Sequence, residues 1–399
     1  MSALAPTSAQ RPVAAPRGNG HRRPRVAYLC VDPGVPVFGT KGASVHIQEI
    51  IRGWRNRGAE VTIFCTRAGD HVPEDLTDIR VIERRLAKKP AAEREKAQAD
   101  AAAYLAELVI AEGAEAVYER YSLFSDALAR VTAALSIPGF LEVNAPLIDE
   151  QRTHRELHDE QAAEAFLRAQ VDAAATVACV SRPVAQWVRA RCATDHADKV
   201  IVTPNGVNTD RITPAAEAAG PPIVVFVGTL KPWHGVHTLI QARALAAVQW
   251  RLKIVGDGPQ APELRELAAR LGVPVDFTGA IAPSDIPAAL AGCALAAAPY
   301  PLALQETDQY FSPLKIYEYG AAGLPVVASR VGQIPDIVEH RVTGLLVEPS
   351  NPSALAAALD ELAQAPQARA LMAEQARRRA VERHGWDRVL GLITAGAGL

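Results

Sequence analysis

Short apolar runs alternate with longer stretches of helical spacing along most of the chain. Arg25–Val31 (RVAYLCV), Glu60–Cys65 (EVTIFC) and Ile79–Glu83 read as strands. Ala116–Glu119, Phe140–Val143, Val177–Val180 and Lys199–Val202 continue the series. Ser44–Arg57 and the Ala-rich Ala91–Glu112 have helical periodicity, and helices fall between most of the remaining strands. Strands alternating with helices predict a parallel sheet covered on both faces. Asp210–Pro222, rich in Pro, Ala and turn residues, reads as a linker. The pattern then restarts at Ile223–Val227 (IVVFV). Leu252–Val255, Val275–Thr278, Ala294–Ala298 and Pro325–Ala328 read as strands, and Thr343–Val347 follows. Val236–Ala246, Pro262–Leu271 and Ile286–Ala291 read as helices, another starts at Pro352, and Ala368–Ala397 is helical with charged faces. The result is two α/β halves, each with its own sheet. Ligands of open parallel sheets sit beyond the carboxyl ends of the strands, so two facing halves would share one cleft.

Composition narrows the class. At 399 residues with 49% apolar content, the chain has ample core for two or three domains. A net charge of −2 gives no nucleic-acid signature. Arg22-Arg23-Pro24-Arg25 and Arg84-Arg85 with Lys88-Lys89 are local basic groups. They read as solvated surface, with a membrane- or phosphate-facing patch as the weaker alternative. The cysteines at 30, 65, 179, 192 and 293 are widely spaced, without CxxC pairs. That argues against a disulfide framework or zinc site, and for a reducing, cytoplasmic setting. No apolar run is long enough to span a bilayer. Residues 1–24 lack the apolar middle of a secretion signal and read as a disordered tail.

The stretch from Asp308 to Ser329, DQYFSPLKIYEYGAAGLPVVAS, carries the sharpest local signal. Ser312 is a good N-cap and Pro313 suits the first helical position. Gly323 fits just past the helix end, and Pro325 prevents continuation. Lys315 then sits in the first turn, where it opposes the helix dipole. Either it is solvated and pairs with Glu318 at i,i+3, or an anion binds there.

Three further loops follow strands. In Gly39–His46 (GTKGASVH), Gly42 and Ala43 allow close backbone approach and Ser44 could cap the next helix. The spacing is not that of a dinucleotide fingerprint, and a plain tight turn is the alternative. Val227–Gly235 (VGTLKPWHG) brings Gly228, Thr229, Lys231 and His234 near a strand end. Lys231 there could meet a phosphate; the alternative is a solvent-facing lysine beside a core Trp233. In Ile254–Pro259 (IVGDGP), Gly256 and Gly258 bracket Asp257, either as an ordinary turn or as a ligand loop. The last two, with the stretch from Asp308 to Ser329, lie in the second half and together supply backbone amides and two lysines to one edge, which describes a diphosphate site. With lysines present and no convincing Asp-x-Asp element, no metal is required.

Taken in order, EVNAPLIDEQ (Glu142–Gln151), VTPNGVN (Val202–Asn208), VGTLKPWHGV, IVGDGP, FTG (Phe277–Gly279) and YFSPLKIYEYGAAGLPVVAS resemble glycosyltransferase family 4. The resemblance runs from Arg25 through nearly the whole chain. It implies a GT-B fold, two Rossmann-like domains facing across a central cleft. The expected divisions are 25–212 for the acceptor domain, 220–380 for the donor domain, and 381–399 for a helix near Trp386 crossing back. It further implies retaining transfer of a sugar from a nucleotide-diphosphate donor, UDP or GDP being commonest, to a small-molecule, glycan or lipid-linked hydroxyl acceptor. By the same resemblance, Lys231 and Lys315 bind the diphosphate, Lys315 beside the helix start at Ser312, Pro313 and Leu314. Glu318 accepts from the ribose hydroxyls. Gly228, Thr229, His234, Gly256 and Gly258 lie against the donor. Gly39, Gly42 and Ser44 close over the phosphates and acceptor.

The sequence departs from the family pattern in four places. Many members carry two glutamates at a fixed spacing, the second matching Glu318; the first falls here at Tyr310, with Glu306 and Asp308 out of register. An arginine and a lysine common in the family fall at Thr229 and His234. A histidine near the donor sugar falls at Asn144, which we group with Lys231 and Lys315 as a candidate catalytic residue. His46 and His154 are nearby histidines. Two other classes remain: a nucleotide-sugar-binding protein without catalysis, and an epimerase using Glu142 with Asp149 or Glu150.

Overall fold

A computed structural model describes residues 23–88, 90–303 and 309–397. The expected tail, Lys89, Glu306 and Asp308 lie outside these residues, except for positions 23 and 24 of the tail. The first half runs β1 (Arg25–Cys30), α1 (Gly42–Asn56), β2 (Glu60–Cys65), β3 (Arg80–Glu83), α2 (Ala91–Glu112), β4 (Ala116–Arg120) and α3 (Ala127–Leu135). It continues with β5 (Gly139–Val143), α4 (Leu147–His154), α5 (Glu160–Ala173), β6 (Thr176–Cys179), α6 (Arg182–Arg189) and β7 (Val200–Val202). The strands form a parallel sheet in the order β3-β2-β1-β4-β5-β6-β7.

The second half begins with β8 (Ile223–Val227), α7 (Val236–Leu245), β9 (Arg251–Val255), α8 (Ala261–Arg270), β10 (Val275–Gly279), α9 (Ile286–Leu290) and β11 (Leu295–Ala298). Then come α10 (Leu314–Ala321), β12 (Val326–Ser329), α11 (Ile334–Ile337), β13 (Gly344–Val347), α12 (Pro352–Ala363), α13 (Pro366–Arg383) and α14 (Trp386–Thr394). Its parallel sheet has the order β10-β9-β8-β11-β12-β13.

Central strands are buried on both faces: Tyr28, Leu29 and Cys30 in β1, and Val224, Val225 and Phe226 in β8, are fully covered. Each such side chain contributes about 1.5–3 kcal/mol of burial, which is why these runs read as continuously apolar. Local signals set several helix starts. Asn351 accepts from the Ala354 N–H at 2.9 Å ahead of Pro352, and Asp159 accepts from Ala162 at 2.8 Å.

Two expected caps are absent. The stretch at 312 does not start its helix at Ser312: α10 begins at Leu314, with Pro313 extended in the cap position. The Ser312 hydroxyl is instead engaged by the backbone N–H of Asn205 at 3.0 Å. Ser44 likewise caps nothing; α1 starts two residues earlier, and the Ser44 hydroxyl donates to the Pro36 carbonyl at 2.5 Å. The single helical segment expected over 368–397 is broken at His384-Gly385 into α13 and α14. Residue 385 forms a bridge with Val207, so the chain turns back there onto the first half. Helix α14 packs on α1, where Arg57 donates to Thr394 Oγ1 and to the Asp387 carbonyl, both at 2.8 Å. Trp386, Leu390 and Ile393 join Trp54 and Tyr118 in one buried cluster.

Candidate active site

The loops after β8 and β9 are in backbone contact. Leu230 N–H donates to the Asp257 carbonyl at 2.9 Å, and Gln260 N–H to Leu230 at 3.1 Å. A Cβ at Gly256, whose φ is +141°, would lie 2.0 Å from the Gly228 carbonyl oxygen. A Cβ at Gly258 would lie 2.5 Å from that of Leu230. Both glycines are therefore required by loop-on-loop packing, whatever binds beside them.

Gly228 serves another purpose. A Cβ there would sit 3.0 Å from Lys315 Nζ, so the missing side chain admits the lysine to the end of β8. Lys315 is buried, 7% exposed, and its ammonium lies 4.4 Å from the Phe226 ring centroid and 4.9 Å from that of Tyr300. Tyr300 is itself stacked on Phe311 at 4.7 Å. Among the described residues Nζ has no hydrogen-bond partner. Burial lowers its pKa to about 7, against the opposing pull of Glu318. The reading of Lys315 as a solvated lysine paired with Glu318 thus fails. The aromatic faces partly offset its desolvation, and its charged form lacks an anion.

His234 Nδ1 donates to the Thr229 carbonyl, leaving Nε2 as an acceptor. Burial, then the charges of Lys315 and Lys231, push its pKa down to about 3. It is a neutral ring and brings no positive charge to this edge. Trp233 is no core residue: it is 55% exposed, and Lys231 Nζ lies 4.4 Å from its ring centroid. Glu318, one turn beyond Lys315, has its pKa raised by burial, while Arg211 and Lys315 pull it back and Glu49 adds to the rise. Glu49 on α1 is bonded by Arg52 at 3.0 Å and by Asn208 at 3.3 Å, with Arg211 at 3.5 Å.

The first half meets this edge at Gly42, where a Cβ would lie 3.1 Å from Leu314 Cδ1. The amino ends of α1 and α10 therefore adjoin. Neither has a side-chain cap or an acidic residue in its first turn. Their N–H groups and dipoles both favour an anion between them. Gly39 is fixed by its own loop, since a Cβ would lie 2.6 Å from Ser44 Oγ.

Behind this loop is a buried polar network. Glu142 accepts from His46 Nε2 at 2.7 Å, Tyr118 at 2.5 Å, Arg120 at 3.0 Å, and Asn144. Burial alone would raise its pKa, but the His46 charge, the His46 hydrogen bond, Arg120 and Tyr118 bring it down to about 2. Asp149 is held by Trp187 at 2.7 Å and by Arg152 and Arg191 at 3.0 Å each. Tyr310 donates to Glu150. The three carboxylates that an epimerase would need are thus engaged. His154 is exposed at the end of α4, apart from the network. No cluster of three or more His, Cys, Asp or Glu suited to a metal occurs among the described residues. Nor is any helix among them long and apolar enough to cross a membrane.

Residues 40–211 match the family model for Glycosyltransferase Family 4, and residues 221–365 match that for Glycosyl transferases group 1. The chain belongs to glycosyltransferase family 4. A GDP-mannose-dependent alpha-(1-6)-phosphatidylinositol monomannoside mannosyltransferase of Mycobacterium tuberculosis is 33% identical over 198 residues, 45% of this chain and 51% of that protein. A D-inositol 3-phosphate glycosyltransferase of Salinispora arenicola is 33% identical over 49% of this chain and 48% of its own length. The chain spans about half the length of the curated relatives it matches. Among solved structures, HepE of Anabaena with UDP and glucose superposes with a TM-score of 0.68 at 22% identity, covering 94% of this chain and 99% of that one. Sucrose-phosphate synthase of Thermosynechococcus elongatus gives 0.69 at 21% identity, covering 94% and 99%. The fold is GT-B, as the resemblance implied.

Against the family pattern, the departures have structural consequences. Tyr310 is turned to the first half, onto Glu150. Asn144 is half-buried, and its amide is spent on Glu142. Arg211 and Glu49 escape sequence reasoning because one lies in the linker and the other on an ordinary helix face. Phe226 and Tyr300 escape it as well: one is a plain strand residue, and the other follows β11, a strand end with no glycine or cation to mark it.

Proposed function

We propose that this family member transfers a glycosyl group from a nucleotide-diphosphate sugar to a hydroxyl acceptor, with retention of configuration. The observation that carries the reading is the buried Lys315 side chain, unpartnered among the described residues, beside two adjoining, uncapped helix starts. A diphosphate is the ligand chemistry that would satisfy all three at once. Lys231, on the neighbouring loop, is the second cation. Glu318 would accept from ribose hydroxyls. The leaving diphosphate gathers negative charge as the glycosidic bond breaks, and preorganised cations and N–H groups lower that barrier. The acceptor would attack from the face the diphosphate leaves. Glu142, held ionised by four donors, is unsuited to act as nucleophile or base.

The relatives named for GDP-mannose and the neighbour bound to UDP make GDP and UDP the first donors to test. Lysines can neutralise the diphosphate without a metal. A polar acceptor fits the Asn144, Gln151 and Arg152 side of the cleft; membrane contact has the Arg84–Lys88 segment as its support. Calorimetric titration of UDP, GDP, ADP and dTDP, with and without magnesium, tests the donor site. Glu318→Ala should weaken the best ligand by about 1.5–3 kcal/mol, the worth of a charge-assisted hydrogen bond. Unaltered affinity would remove Glu318 from the site.

A second reading, nucleotide-sugar binding without transfer, is favoured by the engagement of Tyr310 and Asn144 with first-half carboxylates. Donor hydrolysis or transfer by the purified protein would exclude it.

A further inference from the structure

Asn205 lies in the segment joining the two halves and is 8% exposed. Its backbone N–H donates to Ser312 Oγ at 3.0 Å, and its Nδ2 donates to the Ser312 carbonyl at 2.7 Å. Its Oδ1 is 2.7 Å from His46 Nδ1, and His46 Nε2 is 2.7 Å from Glu142 Oε2. One line of hydrogen bonds therefore runs from the first sheet through α1 and the connector to the residue two before α10. Lys315 is the second residue of that helix. The donor-site reading above uses neither Asn205 nor His46.

Donor and acceptor bookkeeping fixes the orientation of each group. The Ser312 carbonyl can only accept, so the Asn205 amide nitrogen must face it and the amide oxygen must face His46. An ionised Glu142 also only accepts. His46 Nδ1 then carries the hydrogen shared with Asn205, and Nε2 shares the second bond with the Glu142 carboxylate. The groups around it are Glu142, Tyr118 and Arg120 from the sheet, Asn205 from the connector, and the Trp386 ring at 4.7 Å from α14.

We propose that Asn205 is a positioning residue that fixes the amino end of α10 against α1 through Ser312 and His46. The two helix starts that would grip a diphosphate are thereby held in one geometry by a buried strut behind them. An aspartate at 205 would set a carboxylate oxygen against the Ser312 carbonyl oxygen, and an alanine would leave the Ser312 carbonyl and a His46 N–H unpaired. The effect on ligand binding rests on the donor-site reading; the direction of the His46–Asn205 bond does not.

The test uses Asn205→Ala, Ser312→Ala and the double variant in the full chain, with UDP and GDP as probes. Each single change is expected to weaken nucleotide binding roughly tenfold, and the double change by no more than either alone. Independent, additive losses, or unchanged affinity with only lowered stability, would overturn the positioning role. In the same wild-type sample, ring 15N shifts of His46, assigned by their loss in His46→Gln, should show a protonated Nδ1. A lone pair at Nδ1 would overturn the relay. If neither UDP nor GDP binds the wild type, the donor reading fails and the His46 signal alone decides the strut.

Discussion

Replacing Lys315 with Met keeps the length of the side chain and removes its charge. The lysine is 7% exposed, and its pKa stands at about 7 instead of 10.5. That difference corresponds to on the order of 5 kcal/mol against the charged form. The unfolded chain holds the proton more tightly, so the penalty on the folded state is complete below about pH 7. It fades as pH rises toward the unfolded value of 10.5. Attraction to Phe226 and Tyr300 is lost with the charge, and cation–π contacts of this kind contribute up to about 2 kcal/mol. The Met variant should therefore be more stable than the wild type at pH 6, by roughly 2–4 kcal/mol, and its advantage should shrink at pH 9.5. Urea unfolding at the two pH values measures this. The same variant should bind nucleotide diphosphate about tenfold to a hundredfold more weakly, having lost a charge-assisted hydrogen bond. A Met variant no more stable at pH 6, with wild-type nucleotide affinity, would refute the reasoning.

Three other outcomes follow from the structure. Glu119 is fully buried, and burial raises its pKa to about 7 against hydrogen bonds from Ser125, Leu128 and Gln170. Its contribution is complete below the unfolded value near 4.5 and is lost as pH rises through 7. Wild type should thus lose on the order of 3 kcal/mol relative to Glu119→Gln between pH 4.5 and 8, read from urea midpoints. Gly256→Ala should destabilise by at least about 2 kcal/mol, since its Cβ would meet the Gly228 carbonyl; thermal unfolding checks it. Tyr310→Phe removes the bond to Glu150, and should cost about 0.5–1.5 kcal/mol of stability in chemical denaturation without changing nucleotide affinity.

The fold was legible because strands buried on both faces, such as IVVFV, cannot be mistaken for exposed surface. Helix starts were less so, because a good capping residue can be claimed by a distant partner. Ser312 reads as an N-cap, yet Asn205, more than a hundred residues earlier, takes its hydroxyl. Lys315 stands out because a cation in the first turn of a helix is locally unfavourable. Its depth and its aromatic surroundings come from β8 and from the segment after β11, which meet only in the folded chain. The buried network of Glu142, His46 and Asn205 is of the same kind: each residue is ordinary in its own segment, and only the meeting of sheet, helix and connector makes them a unit.

The central claim is that Lys315 anchors a nucleotide diphosphate. At pH 8 an ammonium with a pKa near 7 is mostly neutral, and it must take up a proton to hold the ligand. Titration of UDP and GDP at pH 8, in two buffers of different ionisation enthalpy, should give binding heats that differ by about one proton taken up per nucleotide, and no such difference in Lys315→Met. Binding without proton uptake, or uptake that persists in the Met variant, would contradict it.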